Sequence, residues 1–158
     1  MPIEEILVHT LTHTKKTLGI AESCTGGLLG HRLTNISGSS VVLKGGLIAY
    51  SNQIKMNVLG VPEGLIQRHG AVSAPVVKAM AKRARLLFRS DYGVGISGIA
   101  GPTGGSPAKP VGLVHIAACS KKRVLHKELR LKGNRLSIKT QAATKALQLL
   151  TSLICPES

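Results

Sequence analysis

Two candidate nucleophiles, Ser23 and Cys24, stand side by side in the segment Ala21-Glu22-Ser23-Cys24-Thr25-Gly26-Gly27. The segment follows a short apolar run and precedes a helical pattern, so we predict that it forms a strand-to-helix turn. Such a turn directs several backbone N–H groups and the positive end of a helix dipole into one small space. The segment could therefore hold a nucleophile beside a site for a phosphate or an oxyanion.

The residues of this segment also have structural roles open to them. A serine before a helix commonly caps that helix, and a buried cysteine is commonly an inert apolar side chain. The carboxylate of Glu22 could pair with a lysine, bind a substrate hydroxyl or make a structural hydrogen bond. Because Asp and Glu together number only 7, we expect this carboxylate to have a specific partner.

Two further segments follow predicted strands, Tyr50–Lys55 after the second and Ser97–Gly105 after the third. In open α/β sheets, ligands bind beyond the carboxyl ends of the strands, so the three segments would converge on one site. The Gly98–Gly105 loop lacks the Gly-Lys-Ser/Thr of a P-loop. Its glycines would instead permit close approach of the backbone to a ligand.

The elements that must position these segments follow from the apolar pattern. Strands are predicted over residues 17–21, 46–50, 92–97, 111–119 and 123–131. Helices are predicted at a stripe over residues 3–11, after Gly27, over 53–59, over 62–69, after Ser73 and after Asn134.

Strands and helices alternate until Ser120-Lys121-Lys122, which can turn a hairpin and make the last two strands antiparallel. This order predicts an α/β fold, a three-layer α/β/α domain on a mixed sheet. With no linker or internal repeat, residues 1–158 are predicted to form a single domain, long enough to bury a core.

The predicted helix after Ser73 has two distinct faces. Its apolar face would bury residues at helical spacing, namely Val77, Met80, Ala84 and Leu87. Its opposite face carries basic residues at the same spacing, namely Lys78, Lys82, Arg85 and Arg89. This second face is either an ordinary solvated surface or a stripe that docks an anion.

The chain of 158 residues carries 21 basic and 7 acidic side chains, a formal net charge of +14. Such a charge favours contact with nucleic acid or anionic metabolites. The aromatic residues, Tyr50, Phe88 and Tyr92, are too few for a base-stacking platform. We therefore expect any nucleic-acid binding to be non-specific.

No apolar run approaches the roughly 20 residues that cross a bilayer, and the acidic N-terminus lacks the plan of a signal peptide. We expect a cytoplasmic protein without a membrane partner. Three widely spaced cysteines disfavour a disulfide framework or a zinc site. The six histidines also lack ligand spacing, so we predict no metal.

Several motifs together resemble the CinA C-terminal domain family, and the resemblance extends from the first predicted helix to the last. The motifs are residues 21–27, Tyr50-Ser51-Asn52 with Lys55, His69-Gly70-Ala71-Val72-Ser73, Gly98-Ile99-Ala100-Gly101-Pro102 with Gly104-Gly105, and Lys109-Pro110-Val111-Gly112. Their order makes the resemblance specific, whereas a lone glycine-rich loop would be weak evidence.

The resemblance implies an anticodon-binding-domain-like fold, α/β/α with a five-stranded mixed sheet. The family includes stand-alone amidases that convert nicotinamide mononucleotide, a pyridine nucleotide, to nicotinate mononucleotide and ammonia without metal or cofactor. Family habit further suggests a homo-oligomer. Carried onto this chain, the catalytic pair is Ser23 and Lys55, with Tyr50 between them in the motif. Ser97 stands where the family has Ser or Thr, and Arg135 lies in its Gly-x-Arg segment.

The implied roles form a coherent amide hydrolysis. No histidine lies in the three segments, and a lysine can act as the base if burial depresses its pKa. Ser23 would attack the amide carbon, Lys55 would accept its proton, and Tyr50 would orient Lys55 or relay the proton to ammonia. The predicted substrate-binding residues are Glu22, Thr25, Gly26, Gly27, Ser97, Gly98, Gly101 and Arg135.

Two departures from the family pattern affect the predicted phosphate end of the site. Gly133-Asn134-Arg135 replaces the frequent Gly-Asp-Arg, and Lys139 stands where an arginine is common. Asparagine still caps a helix, and lysine still meets a phosphate but without bidentate geometry. The extra N-terminal domain of long family members, linked to a pyrophosphatase activity, is expected to be absent, so that activity is not transferred.

Two alternatives stay open. The basic charge would also suit a non-catalytic, nucleic-acid-associated module. The same catalytic residues would also suit a different small amide, because the shape of the pocket cannot be read from the sequence.

Overall fold

A computed structural model describes residues 1–156 of the chain. The strands are β1 (Leu18–Glu22), β2 (Leu43–Ile48), β3 (Tyr92–Gly98), β4 (Leu113–Cys119) and β5 (Val124–Arg130). The helices are α1 (Ile3–Thr14), α2 (Leu28–Thr34), α3 (Asn52–Ile54, continued by a π-helical turn over Lys55–Leu59), α4 (Glu63–His69), α5 (Ala74–Leu87) and α6 (Arg135–Ile154). A short 3₁₀ turn covers Ser39–Val41.

The strands form one mixed sheet in the order β2-β1-β3-β4-β5. β1 pairs in parallel with both β2 and β3, whereas β4 is antiparallel to β3 and to β5. The predicted five-stranded mixed α/β sheet and the antiparallel hairpin are confirmed. Because β1, β2 and β3 are parallel, the segments that follow them meet at one edge of the sheet.

The two faces of the sheet bury separate apolar layers. On one face, alternate strand residues such as Ile20, Val94 and Ile116 pack with α1, α2 and α6. Arg32 of α2 links these helices by hydrogen bonds. Its Nε donates to Glu4 of α1 at 2.9 Å, and its Nη1 donates to Thr144 of α6 at 2.7 Å. On the other face, Ala21 packs with residues of α5 that include Met80 and Ala84. The result is the predicted three-layer arrangement.

Helix α5 packs closely on the sheet because glycines line β3 beneath it. A Cβ on Gly95 would lie 2.7 Å from the carbonyl oxygen of Val77, and one on Gly93 would also collide with the backbone of α5. Real Cβ atoms do not approach so closely. The glycines therefore set the separation between this helix and the sheet.

The structure corrects the predicted bounds of β2 and the predicted apolar face of α5. β2 covers residues 43–48 and not 46–50, because parallel pairing with β1 starts at Leu43 and ends at Ile48. The predicted apolar face of α5 fails at its end, where Leu87 is 43% exposed. Phe88 takes the interior position, with its ring against Gly45 and Gly19.

Within residues 1–156, no helix is both long enough and apolar enough to cross a membrane.

Candidate active site

Ser23 and Lys55 lie together at the edge where β1 and β2 end. Ser23 directly follows β1, and its N–H donates to the Ile96 carbonyl of the neighbouring β3 at 2.9 Å. Lys55 lies in the helical segment after β2, which begins with Ser51 as its N-cap. The Lys55 Nζ donates to Ser23 Oγ at 3.0 Å and to the Tyr50 carbonyl oxygen at 3.2 Å. A hydroxyl and an amine are therefore in direct contact.

The environment of Lys55 favours its uncharged form. The side chain is only 2% exposed, and burial lowers the pKa of its amine. Within residues 1–156, no carboxylate forms an ion pair with it. An uncharged amine in contact with a hydroxyl can accept the hydroxyl proton, so the pair has the geometry of a nucleophile and its base.

Cys24 differs from Ser23 in reactivity although both border the same space. Burial raises the pKa of its thiol to about 11, so at neutral pH the thiolate is scarce. Because the thiolate is the reactive form of cysteine, this environment disfavours Cys24 as the nucleophile. Its backbone N–H, next to Ser23, donates to no backbone oxygen within residues 1–156.

A cavity of about 280 Å³ opens onto the Ser23–Lys55 pair. It brings together five of the predicted site residues besides that pair, namely Tyr50, Ser97, Gly98, Gly101 and Arg135. Ser97 is 1% exposed, and its hydroxyl donates to the Ala71 carbonyl at 2.9 Å. That bond ties the end of β3 to the loop that precedes α5.

Tyr50 and Arg135 form a second contact at the border of the cavity. The Arg135 guanidinium donates to the Gly101 carbonyl oxygen at 2.6 Å and to the Tyr50 hydroxyl at 3.1 Å. Tyr50 thus touches Lys55 through its backbone carbonyl, while its 59% exposed side chain points to Arg135. The Tyr50 hydroxyl makes no hydrogen bond to Lys55, and the predicted role of Tyr50 in catalysis stays a prediction.

Glu22 does not face the cavity, contrary to the predicted substrate contact. Its carboxylate is buried and accepts hydrogen bonds from the Thr25 hydroxyl at 2.6 Å, the Leu29 N–H at 2.9 Å and the Gly30 N–H at 3.0 Å. The last two are amides at the start of α2, which otherwise lack helical partners. Glu22 therefore caps α2 from the strand that precedes Ser23.

Thr25, Gly26 and Gly27, three of the predicted substrate-binding residues, also lie outside the lining of the cavity. Thr25 is fully buried against Glu22, and the Gly26 N–H donates to the Ser23 carbonyl oxygen at 3.0 Å. Gly26 and Gly27 have φ angles of +58° and +104°. These residues shape the turn that presents Ser23.

Sequence reasoning overlooked other residues of the cavity lining, namely Asn52, Ala71, Val72, Ile99, Ala100, Thr103 and Gly104. Ala71 and Val72 belong to the His69–Ser73 motif, so their place in the family pattern was the available signal. Thr103 and Gly104 lie in the glycine-rich loop that was predicted to reach the site.

Fold and site together define an open α/β domain with a buried serine–lysine pair at the carboxyl edge of its parallel strands. The chain belongs to the CinA family, because the CinA C-terminal domain matches residues 1–154.

Relatives and solved structures agree with this assignment. A CinA-like protein of Gemmatimonas aurantiaca is 50% identical over 142 residues, which are 90% of this chain and 33% of the relative. A CinA-like protein of Prochlorococcus marinus is 46% identical over 151 residues, 96% of this chain and 34% of the relative. The chain thus spans about a third of the length of these relatives. The crystal structure of the competence/damage inducible protein CihA from Agrobacterium tumefaciens has a TM-score of 0.94, is 38% identical, and matches over 96% of this chain and 93% of its own.

Proposed function

We propose that the protein hydrolyses the carboxamide of nicotinamide mononucleotide, releasing ammonia and nicotinate mononucleotide. The observation that carries the proposal is the 3.0 Å contact between Lys55 Nζ and Ser23 Oγ, made where burial lowers the lysine pKa. A neutral serine is a weak nucleophile and needs an adjacent base, which this contact provides.

In the first half-reaction, Ser23 Oγ bonds to the carboxamide carbon as its proton moves to Lys55 Nζ. The tetrahedral intermediate then breaks its C–N bond, and Lys55 returns the proton to the leaving nitrogen, which departs as ammonia. The Tyr50 carbonyl, at 3.2 Å from Nζ, holds the amine toward Ser23. The N–H of Cys24 is the candidate donor for the oxyanion.

In the second half-reaction, water gives its proton to Lys55 and attacks the ester on Ser23. The ester C–O bond breaks, the carboxylic acid leaves, and Ser23 regains its proton. The balance is one amide and one water converted to one acid and one ammonia.

The phosphate of the substrate would meet basic residues at the start of α6. Arg135 is the first residue of that helix, and it lines the cavity. Lys139 lies one turn later, with its Nζ 3.7 Å from where a Cβ on Gly26 would be. Guanidinium, ammonium and a helix N-terminus are each favourable to a phosphate.

The test measures ammonia and nicotinate mononucleotide formed from nicotinamide mononucleotide by the wild type, Ser23→Ala and Cys24→Ala, with a chelator present. We expect Ser23→Ala to lower the rate by at least about a thousandfold and Cys24→Ala to change it only a few-fold. The cysteine variant is the matched control, because it alters the adjacent residue of the same turn.

Equal rates in wild type and Ser23→Ala would contradict the serine mechanism. Loss of activity with chelator would contradict a metal-independent reaction. A folded wild type that is inactive on this substrate but releases ammonia from another small amide would keep the mechanism and reject the substrate.

A further inference from the structure

One flank of α5 carries three basic side chains without partners. Lys78, Lys82 and Arg85 recur at helical spacing, and no side-chain hydrogen bond or ion pair joins them to residues 1–156. Arg83 lies on another side of the helix, where its Nε donates to the Leu59 carbonyl at 3.0 Å. Lys78 and Lys82 are exposed, and Arg85 is half-buried.

This flank faces the β4–β5 side of the sheet. A Cβ on Gly93 would lie 2.9 Å from the Cβ of Arg85, and Gly93 pairs with Cys119 at the end of β4. At the other end of the flank, Lys78 lies near His126 of β5. Burial lowers the pKa of the His126 imidazole, and the positive charge of Lys78 lowers it further. The flank thus runs alongside β5 toward the hairpin.

The hairpin after β4 extends the same charge. Lys121, Lys122 and Arg123 are exposed there, and the turn is fixed because Ser120 Oγ accepts the N–H groups of Lys122 at 3.3 Å and Arg123 at 3.1 Å. We call the six residues the basic strip: Lys78, Lys82, Arg85, Lys121, Lys122 and Arg123. Neither α5 nor residues 120–123 contain an acidic residue.

We propose that the basic strip binds the phosphate backbone of duplex nucleic acid. All six residues are basic, three on α5 and three in the turn between β4 and β5, and the acidic residues that border them are Asp91, in a hollow with Lys121 and Lys122, and Glu128 on β5. From Lys78 to Arg85 the strip covers seven residues, about 10 Å at the helical rise of 1.5 Å per residue. That distance corresponds to about three base-pair steps of 3.4 Å.

The lack of aromatic residues favours a duplex over a single strand. The strip contains no aromatic residue, so it offers no surface on which unpaired bases could stack. Its contacts would go to phosphates, which give affinity and strong salt dependence without reading sequence.

The strip is also separate from the Ser23 cavity, since none of its six residues lines that cavity.

The test compares Lys78→Gln/Lys82→Gln/Arg85→Gln with the control Lys44→Gln/Arg68→Gln/Lys145→Gln, which removes the same charges from exposed sites on β2, α4 and α6. Fluorescence anisotropy with a labelled 20-base-pair duplex would be recorded between 50 and 200 mM salt. We expect the strip variant to bind at least about tenfold more weakly and to lose about 2.7 from the slope of log affinity against log salt, roughly 0.9 for each phosphate contact. The control should stay within about threefold of the wild type.

Equal weakening in both triple variants would assign binding to net charge and overturn the proposal. Unchanged binding by the strip variant would overturn it as well. A single strand that binds as tightly as the duplex would contradict backbone recognition of the duplex. Tighter binding of polyglutamate of equal charge would identify an acidic protein as the partner instead.

Discussion

Lysine is rarely buried unless a carboxylate accompanies it. Lys55 is buried, and its Nζ contacts a hydroxyl and a backbone carbonyl, both of them uncharged oxygens. This arrangement leaves the amine available as a base but penalises its protonated form in the folded protein. The same residue that supplies a base should therefore lower the stability of the fold at neutral pH.

The pH dependence of unfolding should reveal this penalty. The folded pKa of Lys55 lies below the unfolded value of 10.5, so between the two the unfolded chain binds one more proton. The free energy of unfolding therefore rises with pH through that window because of this residue. Lys55→Met should be more stable than the wild type at pH 7, with a difference that shrinks toward pH 10, and its activity should fall by about 10²–10⁴-fold.

Urea unfolding from pH 6 to 10 would measure the effect. Lys44→Met is the control, because it makes the same substitution at an exposed lysine on β2. If the difference in unfolding free energy between Lys55→Met and the wild type did not change with pH, Lys55 would have the same pKa in the folded and unfolded states, contrary to the prediction.

At the scale of single elements, the short helix α2 depends on a residue that lies outside it. Its preceding residue, Gly27, provides no side-chain cap. Glu22, at the end of β1, accepts the Leu29 and Gly30 N–H groups instead and is followed directly by Ser23. One carboxylate thus links the sheet, the turn that carries Ser23 and the helix behind it.

Glu22→Gln should weaken this link. The amide keeps the size of the side chain but replaces one accepting oxygen by a donor facing a backbone N–H, and it removes the charge at the helix N-terminus. We expect a loss of about 1–3 kcal/mol in unfolding free energy together with a reduced kcat. Glu63→Gln, in the exposed first turn of α4, should stay within about 0.5 kcal/mol. Equal small effects of both substitutions on stability would contradict the capping role.

At the scale of the whole molecule, the distance between layers is set by the absence of side chains on β3. Gly95→Ala would place a Cβ 2.7 Å from the Val77 carbonyl oxygen and push α5 away from the sheet. We expect a loss of about 1–3 kcal/mol. Gly64→Ala is the control, since its Cβ would meet only the Arg68 side chain at 3.7 Å in a helix. It should leave stability unchanged or raise it by up to about 1 kcal/mol. Similar thermal midpoints for both variants would contradict close packing as the reason for Gly95.

The order of elements and the convergence of the site could be predicted from the sequence because both follow from local patterns. Ser23, Tyr50 and Ser97 each follow an apolar run, and parallel strands bring their ends together. Phe88 in place of Leu87 could not be predicted, because the space it fills is made by Gly45 and Gly19 of distant strands.

The hydrogen-bond partners of polar side chains could not be predicted from the sequence either. The Tyr50 hydroxyl meets Arg135, 85 positions away, and not the nearby Lys55. Glu22 meets backbone amides, which no pattern of residue types can identify. Motifs thus located the site, whereas the direction of each side chain depended on tertiary packing.

The position of β2 at the rim of the sheet has a consequence for how the protein would lose activity. β2 has a single neighbour, β1, and alternate residues along it are exposed. Strands held on one side open more readily than central ones. Lys55 is carried by the segment after β2, whereas Ser23 follows the central β1. Partial denaturation would thus separate Lys55 from Ser23, and the proposed activity would be lost while most of the protein is still folded.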